Sequence, residues 1–335
     1  MSTKDRLMSI GAHPMNTTEH DESEGRRPPT TSTKEGAFEL ELTPSSFREW
    51  VRDQPGARFR PEAGRYHLYV MYGCPWAHRT LIVRALKGLE RAIDIAAVHY
   101  RLNEEEGLGW TFSPDEPEPL YGLRRLRELY TKAAPDYSGR VTVPVLWDKR
   151  EQTIVNNESS EIVRMLGGAF DAFAARPELD LYPEPLRPAI DRWNERIYSA
   201  INLGAYRAGF ATTQAAYDEA VYAFFAALDE LEAHFGAHRY LVGDRPTEAD
   251  WRLFPTLIRF EWVYHGLFKC NLRRLVDYPN LFAYARELYQ WPGIAPTINE
   301  RHIRDGYYRS MLRLNPTGVV PAGPLVDFSA PHGRG

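Results

Sequence analysis

Apolar positions change their spacing once along this chain. Up to about residue 166 they come in short runs rich in β-branched and aromatic residues; beyond about residue 190 they recur at steps of three and four. The run from Arg65 to Tyr72 predicts a first strand, buried from Leu68 onward. A tight loop leads to Cys74 and Pro75, and then to a helix reaching about Glu90, with Ala77, Leu81, Ile82 and Ala85 on its packed face. Ile93 to Tyr100 reads as a second strand, and strand, helix, strand at this spacing is a βαβ unit with parallel pairing. An irregular segment from Arg101 to about Pro119, containing Gly107-Leu108-Gly109-Trp110-Thr111-Phe112, precedes a short helix from Leu120 to Thr131; loops of that length are often functional. Val141 to Trp147 is a strand broken by Pro144, which marks an edge or the point where the chain joins the sheet. Thr153 to Val155 adds a short strand, and Asn156-Asn157-Glu158-Ser159-Ser160-Glu161 opens a helix carrying Ile162, Val163, Met165 and Leu166.

Phe170 to about Arg187 turns to Pro, Asp and Glu, as a linker would. Helices then follow over Ile190–Leu203 and Ala215–Phe235, the latter with Tyr217, Val221, Phe224, Leu228, Leu231 and Phe235 at helical steps. Thr247 and Asp250 form a capping box ahead of the buried Trp251, Leu253 and Leu257. Asn280–Tyr289 and Ile294–Arg309 are further helices. At the ends, residues 1 to about 36 are polar and predict a mobile arm, Phe47, Trp50 and Val51 predict a short docking helix, and the proline-rich tail from Asn315 predicts an extended segment. The expected division is an arm over 1–45, partly disordered, an α/β domain over 46–170, a linker over 171–187, an all-helical domain over 188–312 and a tail over 313–335.

The length of 335 residues fits two domains, and a hydrophobic fraction of 43% is enough for packed cores. A formal charge of -4 leaves no footprint for nucleic acid or an anionic membrane surface. Two cysteines, Cys74 and Cys270, make no disulfide framework and fit a reducing compartment. With no signal-type apolar core and no stretch long enough to span a bilayer, a soluble cytoplasmic protein is expected. There is no phosphate-binding glycine loop, so no nucleotide site is expected. His234 and His238 stand four apart but lack companions, so no metal is expected, and Cys270 reads as structural, in a helical setting.

Cys74 carries the chemistry. It falls at the start of a helix, with Pro75 in the first turn where no N–H is needed. Free amides and the positive end of the helix dipole favour a thiolate there, and such positions lower a cysteine pKa into a range of roughly 3.5–7.5. The plain alternative is a buried structural cysteine. Alanine at position 77 leaves no Cys-x-x-Cys pair, which argues against a dithiol oxidoreductase.

Five segments in order extend this reading: Gly73-Cys74-Pro75-Trp76-Ala77-His78-Arg79, Gly109 to Phe112, Arg140 to Asp148, Asn156 to Ile162, and Tyr264 to Asn271. Together they resemble the Xi class of the glutathione transferases, the glutathionyl-hydroquinone reductases, from about Phe38 to Leu314. The resemblance implies an α/β plus all-α fold: a thioredoxin-like N-terminal domain followed by a helical glutathione-transferase C-terminal domain. It implies glutathione as co-substrate, with neither metal nor nucleotide, and a homodimer formed through the helical halves. Cys74 would attack the glutathionyl sulfur of a glutathionyl-hydroquinone, and a second glutathione would resolve the mixed disulfide. Val143, ahead of a cis Pro144, would hold the cysteinyl part of glutathione; Glu158 and Ser159 would hold its γ-glutamyl end; Trp110 and Arg140 would contact the rest. Tyr206 would donate a proton, with Tyr264 and Tyr307 tuning Cys74 and holding the quinone oxygens. Taken alone, Val143-Pro144 also fits an edge strand, Glu158-Ser159 a plain helix cap, Trp110 a packing residue, and any one of 19 tyrosines a core or surface position. The competing readings are an omega-like thiol transferase or dehydroascorbate reductase, and a non-catalytic glutathione- or ligand-binding protein.

Overall fold

A mixed four-stranded sheet holds the first half of the chain together. The computed structural model describes residues 30–32, 35–40, 45–102 and 109–335. Strands β1 (Thr30–Ser32) and β2 (Phe38–Leu40) pair antiparallel as a separate ribbon. The main sheet contains β3 (Tyr66–Val70), β4 (Asp94–Ala97), β5 (Val145–Asp148) and β6 (Thr153–Asn156), in the order β4-β3-β5-β6. β3 runs parallel to β4 and antiparallel to β5, and every residue of β3 is buried, as a strand covered on both faces must be. The predicted βαβ unit is therefore present, with α1 (Pro75–Lys87) as its crossover. α2 (Leu126–Ala133) packs on β6, and α3 (Ser159–Arg164) packs on α1.

Helices α4 (Arg187–Ile197), α5 (Gly204–Phe210), α6 (Gln214–Ala237), α7 (Glu248–Arg259), α8 (Pro279–Tyr289) and α9 (Glu300–Ser310) make the second half. α3, α4 and α7 each continue into one wide π turn, at Met165–Ala169, Tyr198–Asn202 and Phe260–Tyr264. α1 packs against both α3 and α7, so one helix touches both halves and a single apolar core runs through them. The capping box at α7 forms as expected: the buried Asp250 carboxylate accepts from the Thr247 amide at 2.8 Å and the Thr247 hydroxyl at 3.0 Å. The extended tail lies on the helical half, with Phe328 buried against Trp262, Phe282 and Tyr289.

Some expectations need correction. Phe47 to Val51 is not a helix. Its backbone adds to the open edge of β6, with the Glu49 amide donating to the Val155 carbonyl at 3.0 Å; pairing an exposed strand edge outweighs a short helix there. The helix expected from Leu120 begins at Leu126, because the Glu118 carboxylate accepts the amides of Leu120, Tyr121 and Leu123 and holds that stretch as a loop. Ile294 to Arg309 splits into a turn at Ala295–Thr297 and α9, which is capped by the Asn299 side chain. Cys270 lies in the turn after the Phe260–Tyr264 segment, where Lys269 takes a left-handed φ of 58°, and not in a helix. The arm reading over 1–29 and the Gly107-Leu108 part of the long loop lie outside the described residues.

Candidate active site around Cys74

β3 ends at Val70 and the chain turns at once: the Cys74 amide donates to the Met71 carbonyl at 2.9 Å. Gly73 is required by space, since a β-carbon there would stand 2.6 Å from the His302 carbonyl oxygen. Cys74 is the N-cap residue of α1, Pro75 fills the first helical position, and the Cys74 carbonyl accepts the His78 amide at 3.0 Å. The thiol donates to the Val143 carbonyl at 3.8 Å, and Val143-Pro144 is a cis peptide placed just ahead of β5. Pro144 thus marks the point where the chain joins a central strand, the second of the two readings the sequence left open.

Cys74 as a residue is half-buried. Burial pushes the Cys74 thiol up; the amides of Ala77 and Trp76 and the guanidinium groups of Arg259 and Arg79 pull it down without reversing the shift. The direction is therefore opposite to the expected lowering, because burial of the sulfur outweighs the helix start.

Across from the sulfur stand tyrosines from three separate elements. The Tyr206 and Tyr307 hydroxyls share a hydrogen bond of 2.5 Å, and Tyr264 reaches Tyr307 at 3.4 Å. The Trp76 ring, two residues past the cysteine, lies 5.3 Å from that of Tyr206, and Phe268 stacks on Tyr264 at 5.3 Å. Phe38 of the N-terminal ribbon stacks at 5.3 Å on Phe210, which faces Tyr206 at 6.2 Å. Burial raises all three hydroxyls, so each keeps its proton and is available as a donor.

The structure thus brings together Cys74, Val143, Tyr206, Tyr264 and Tyr307. Glu158 caps α3, accepting the Ser160 amide at 3.3 Å, and the buried Ser159 hydroxyl has no partner among the described residues. Trp110 and Arg140 are held by their own loops: the Trp110 carbonyl accepts the Leu126 amide at 2.9 Å, and the Arg140 carbonyl accepts the Tyr137 hydroxyl at 2.6 Å.

Sequence reasoning missed two buried arginines. Arg79 donates to the Asn202 side chain at 2.6 Å, and its pKa is lowered to about 9 by burial. Arg259, fully buried at the end of α7, donates to the backbone carbonyls of Gly73 at 2.9 Å and Tyr72 at 3.0 Å. A fully buried cation has no sequence signature beyond an Arg in an apolar helical stretch, which was visible at Leu257-Ile258-Arg259-Phe260. Cys270 is buried, donates weakly to the Ala205 carbonyl and is pushed up by desolvation, which makes it inert. His234 and His238 stack on one another, and no group of His, Cys, Asp or Glu suited to a metal occurs among the described residues. No described helix is long and apolar enough to cross a membrane.

Residues 73–169 match the family model for the glutathione S-transferase N-terminal domain, and residues 214–287 match that for the C-terminal domain. The chain is 55% identical to "Glutathionyl-hydroquinone reductase PcpF" of Sphingobium chlorophenolicum, over 84% of this chain and 92% of that protein. It is 49% identical to "Glutathionyl-hydroquinone reductase YqjG" of Escherichia coli, over 90% of this chain and 94% of that protein. The glutathione-bound structure of YqjG superposes with a TM-score of 0.82, covering 86% of this chain and 96% of the other. A Xi class glutathione transferase from Natrialba magadii gives a TM-score of 0.84 at 49% identity, covering 90% and 95%.

Proposed function

We propose a reaction for this chain from one premise: it belongs to the Xi class of the glutathione transferases. The chain is a glutathionyl-hydroquinone reductase, using glutathione to release a hydroquinone from its glutathione conjugate. The observation that carries this reading is the sulfur of a half-buried cysteine at a helix start, 3.8 Å from the Val143 carbonyl and faced by a hydrogen-bonded tyrosine group.

The Cys74 sulfur attacks the glutathionyl sulfur of the conjugate. The new S–S bond forms as the sulfur–ring carbon bond breaks, its electron pair stays with the ring carbon, and a proton from the Tyr206 hydroxyl completes the hydroquinone. The ring gains two electrons and the two sulfurs lose them. A second glutathione thiolate attacks the mixed disulfide, restores Cys74 and leaves as oxidised glutathione. Tyr307, which shares its hydrogen bond with Tyr206, passes polarity to that hydroxyl, and Tyr264 and Tyr307 hold the ring oxygens. Val143 receives the cysteinyl backbone of glutathione. When the peptide takes its carbonyl, the Cys74 S–H loses its acceptor and the ionised form gains. Ser159, with its free hydroxyl, and Glu158 receive the γ-glutamyl end at the start of α3, and Arg140 and Trp110 the remainder. The enzyme works in the cytoplasm as a homodimer assembled through the helical halves, which equilibrium sedimentation measures.

The test is direct. Incubation with a glutathionyl-hydroquinone and glutathione should yield free hydroquinone, and mass spectrometry of trapped enzyme should find glutathione on Cys74 and none on Cys270. Cys74→Ser should lower turnover by a factor on the order of 10⁴. Disulfide reduction without conjugate cleavage would replace this reading with the omega-like thiol transferase, and turnover of neither with a binding protein.

A further inference from the structure

Arg259 makes its contacts across the boundary between the halves. Its Nε and Nη2 donate to the consecutive carbonyls of Gly73 and Tyr72, at 2.9 and 3.0 Å, and its Nη1 donates to the Pro255 carbonyl at 2.8 Å and to His78 Nδ1 at 3.1 Å. The other ring nitrogen of His78 pairs with the Thr297 hydroxyl at 2.9 Å. No carboxylate pairs with this guanidinium among the hydrogen bonds and ion pairs of the described residues, although it is fully buried. Two of its partners are carbonyl dipoles of the cysteine loop, and a third is His78, one turn into the helix that Cys74 caps. A planar fork fits two adjacent carbonyls in a way an ammonium group cannot. A buried cation without a counter-ion is costly, and the Cys74 sulfur beside it would supply one once ionised.

We propose that Arg259 is the positioning residue for Cys74, fixing the Tyr72–Gly73 turn that aims the sulfur and supplying the positive charge that stabilises its ionised form. The inference rests on the reductase reading for its consequence in turnover, but not for its effect on the sulfur. Several groups face the sulfur or the guanidinium: His78 and Arg79 on α1, Tyr206 on α5, Tyr264 after α7 and Tyr307 on α9, with Glu158 facing Arg79 from the start of α3. Burial holds His78 neutral and keeps the protons on the three tyrosines; Arg79, lowered to about 9, is the same in every variant, and alkylation reads the sulfur itself.

The experiment is the rate of Cys74 alkylation by iodoacetamide against pH, in the wild type, Arg259→Gln and Arg259→Lys, with Tm measured on each. In Arg259→Gln the midpoint should move up by about one pH unit, and alkylation at pH 7 should fall about tenfold. Arg259→Lys restores the charge but not the fork: the midpoint should return most of the way while kcat stays at least about threefold low. KM for glutathione should change little in both. A folded Arg259→Gln with an unmoved midpoint overturns the proposal and leaves Arg259 a strut between the halves. If Arg259→Gln does not fold, Arg259→Lys decides: wild-type midpoint together with wild-type kcat overturns it. Alkylation needs no quinone, so loss of the reductase reading would leave this result standing, and a failed midpoint shift would leave the reductase reading intact.

Discussion

The sheet half and the helical half serve the same sulfur by different means. From residue 45 to 170 the groups around Cys74 are mostly backbone: the carbonyl of Val143, the amides of Trp76 and Ala77, the start of α3. From α5 to α9 they are side chains: Tyr206, Arg259, Tyr264 and Tyr307, spread over a hundred residues of chain and converging on one point. Backbone groups suit a substrate part that is itself a peptide and never varies. Side chains suit a ring and a developing charge. The division implies that damage to the helical half should come in two kinds, frame and wall, and that the two should separate in experiment.

The frame gives the largest expected effect. Asp250, buried near the start of α7, accepts from the Leu241 amide at 3.0 Å, the Thr247 amide at 2.8 Å, the Thr247 hydroxyl at 3.0 Å and the Tyr284 hydroxyl at 2.8 Å. Asp250→Ala strands all four donors and should cost about 3–5 kcal/mol, seen as a fall in Tm on the order of 10 °C. Because Asp250 touches nothing at the sulfur, kcat per folded molecule should stay within about threefold. Activity lost far beyond the folded fraction would break the distinction between frame and wall.

The wall comes next. Tyr206→Phe and Tyr307→Phe should each lower kcat by about 10² through loss of one donor. The two hydroxyls share a 2.5 Å bond, so the double variant should be little worse than either single one. Ser159→Ala should act on the other side of the division, raising KM for glutathione with kcat nearly unchanged. Multiplicative tyrosine effects would mean that the two hydroxyls work on different atoms of the substrate.

The same division decides what could be read from the sequence. Strand, Cys-Pro and helix, Thr247 three residues before Asp250, and the helical steps from Tyr217 to Phe235 are contiguous signals, and the βαβ unit, the α7 capping box and the long α6 follow from them in turn. Tyr206, Tyr264 and Tyr307 stand out among 19 tyrosines only through the family resemblance, because their convergence depends on helix packing. Arg259 showed only as an Arg in an apolar stretch: two of its partners are carbonyls nearly 190 residues away, and carbonyls have no sequence. The local errors have one form. At Phe47–Val51 a distant strand edge, and at Leu120–Leu123 the nearby Glu118 carboxylate, took over backbone groups that a periodicity reading assigned to helices.

The smallest effect sharpens the comparison most. A helix start and two arginines favour the Cys74 thiolate, while burial disfavours the charged form, and burial prevails. A thiol whose ionised form is disfavoured titrates above the ordinary value of about 8.5. Alkylation of the free protein should therefore keep rising from pH 7 to beyond pH 8.5, with no plateau below that. Occupancy of the Val143 carbonyl by a non-reactive S-alkyl glutathione should lower the midpoint, since the S–H then loses its acceptor. A free-protein midpoint below 7 would mean that the helix start and the guanidinium groups outweigh burial after all. In either case the distance between the wild-type midpoint and that of Arg259→Gln measures how much of the sulfur's ionisation comes from the one cation the helical half supplies, and the remainder is shared by its tyrosines, the sheet half and the burial both impose.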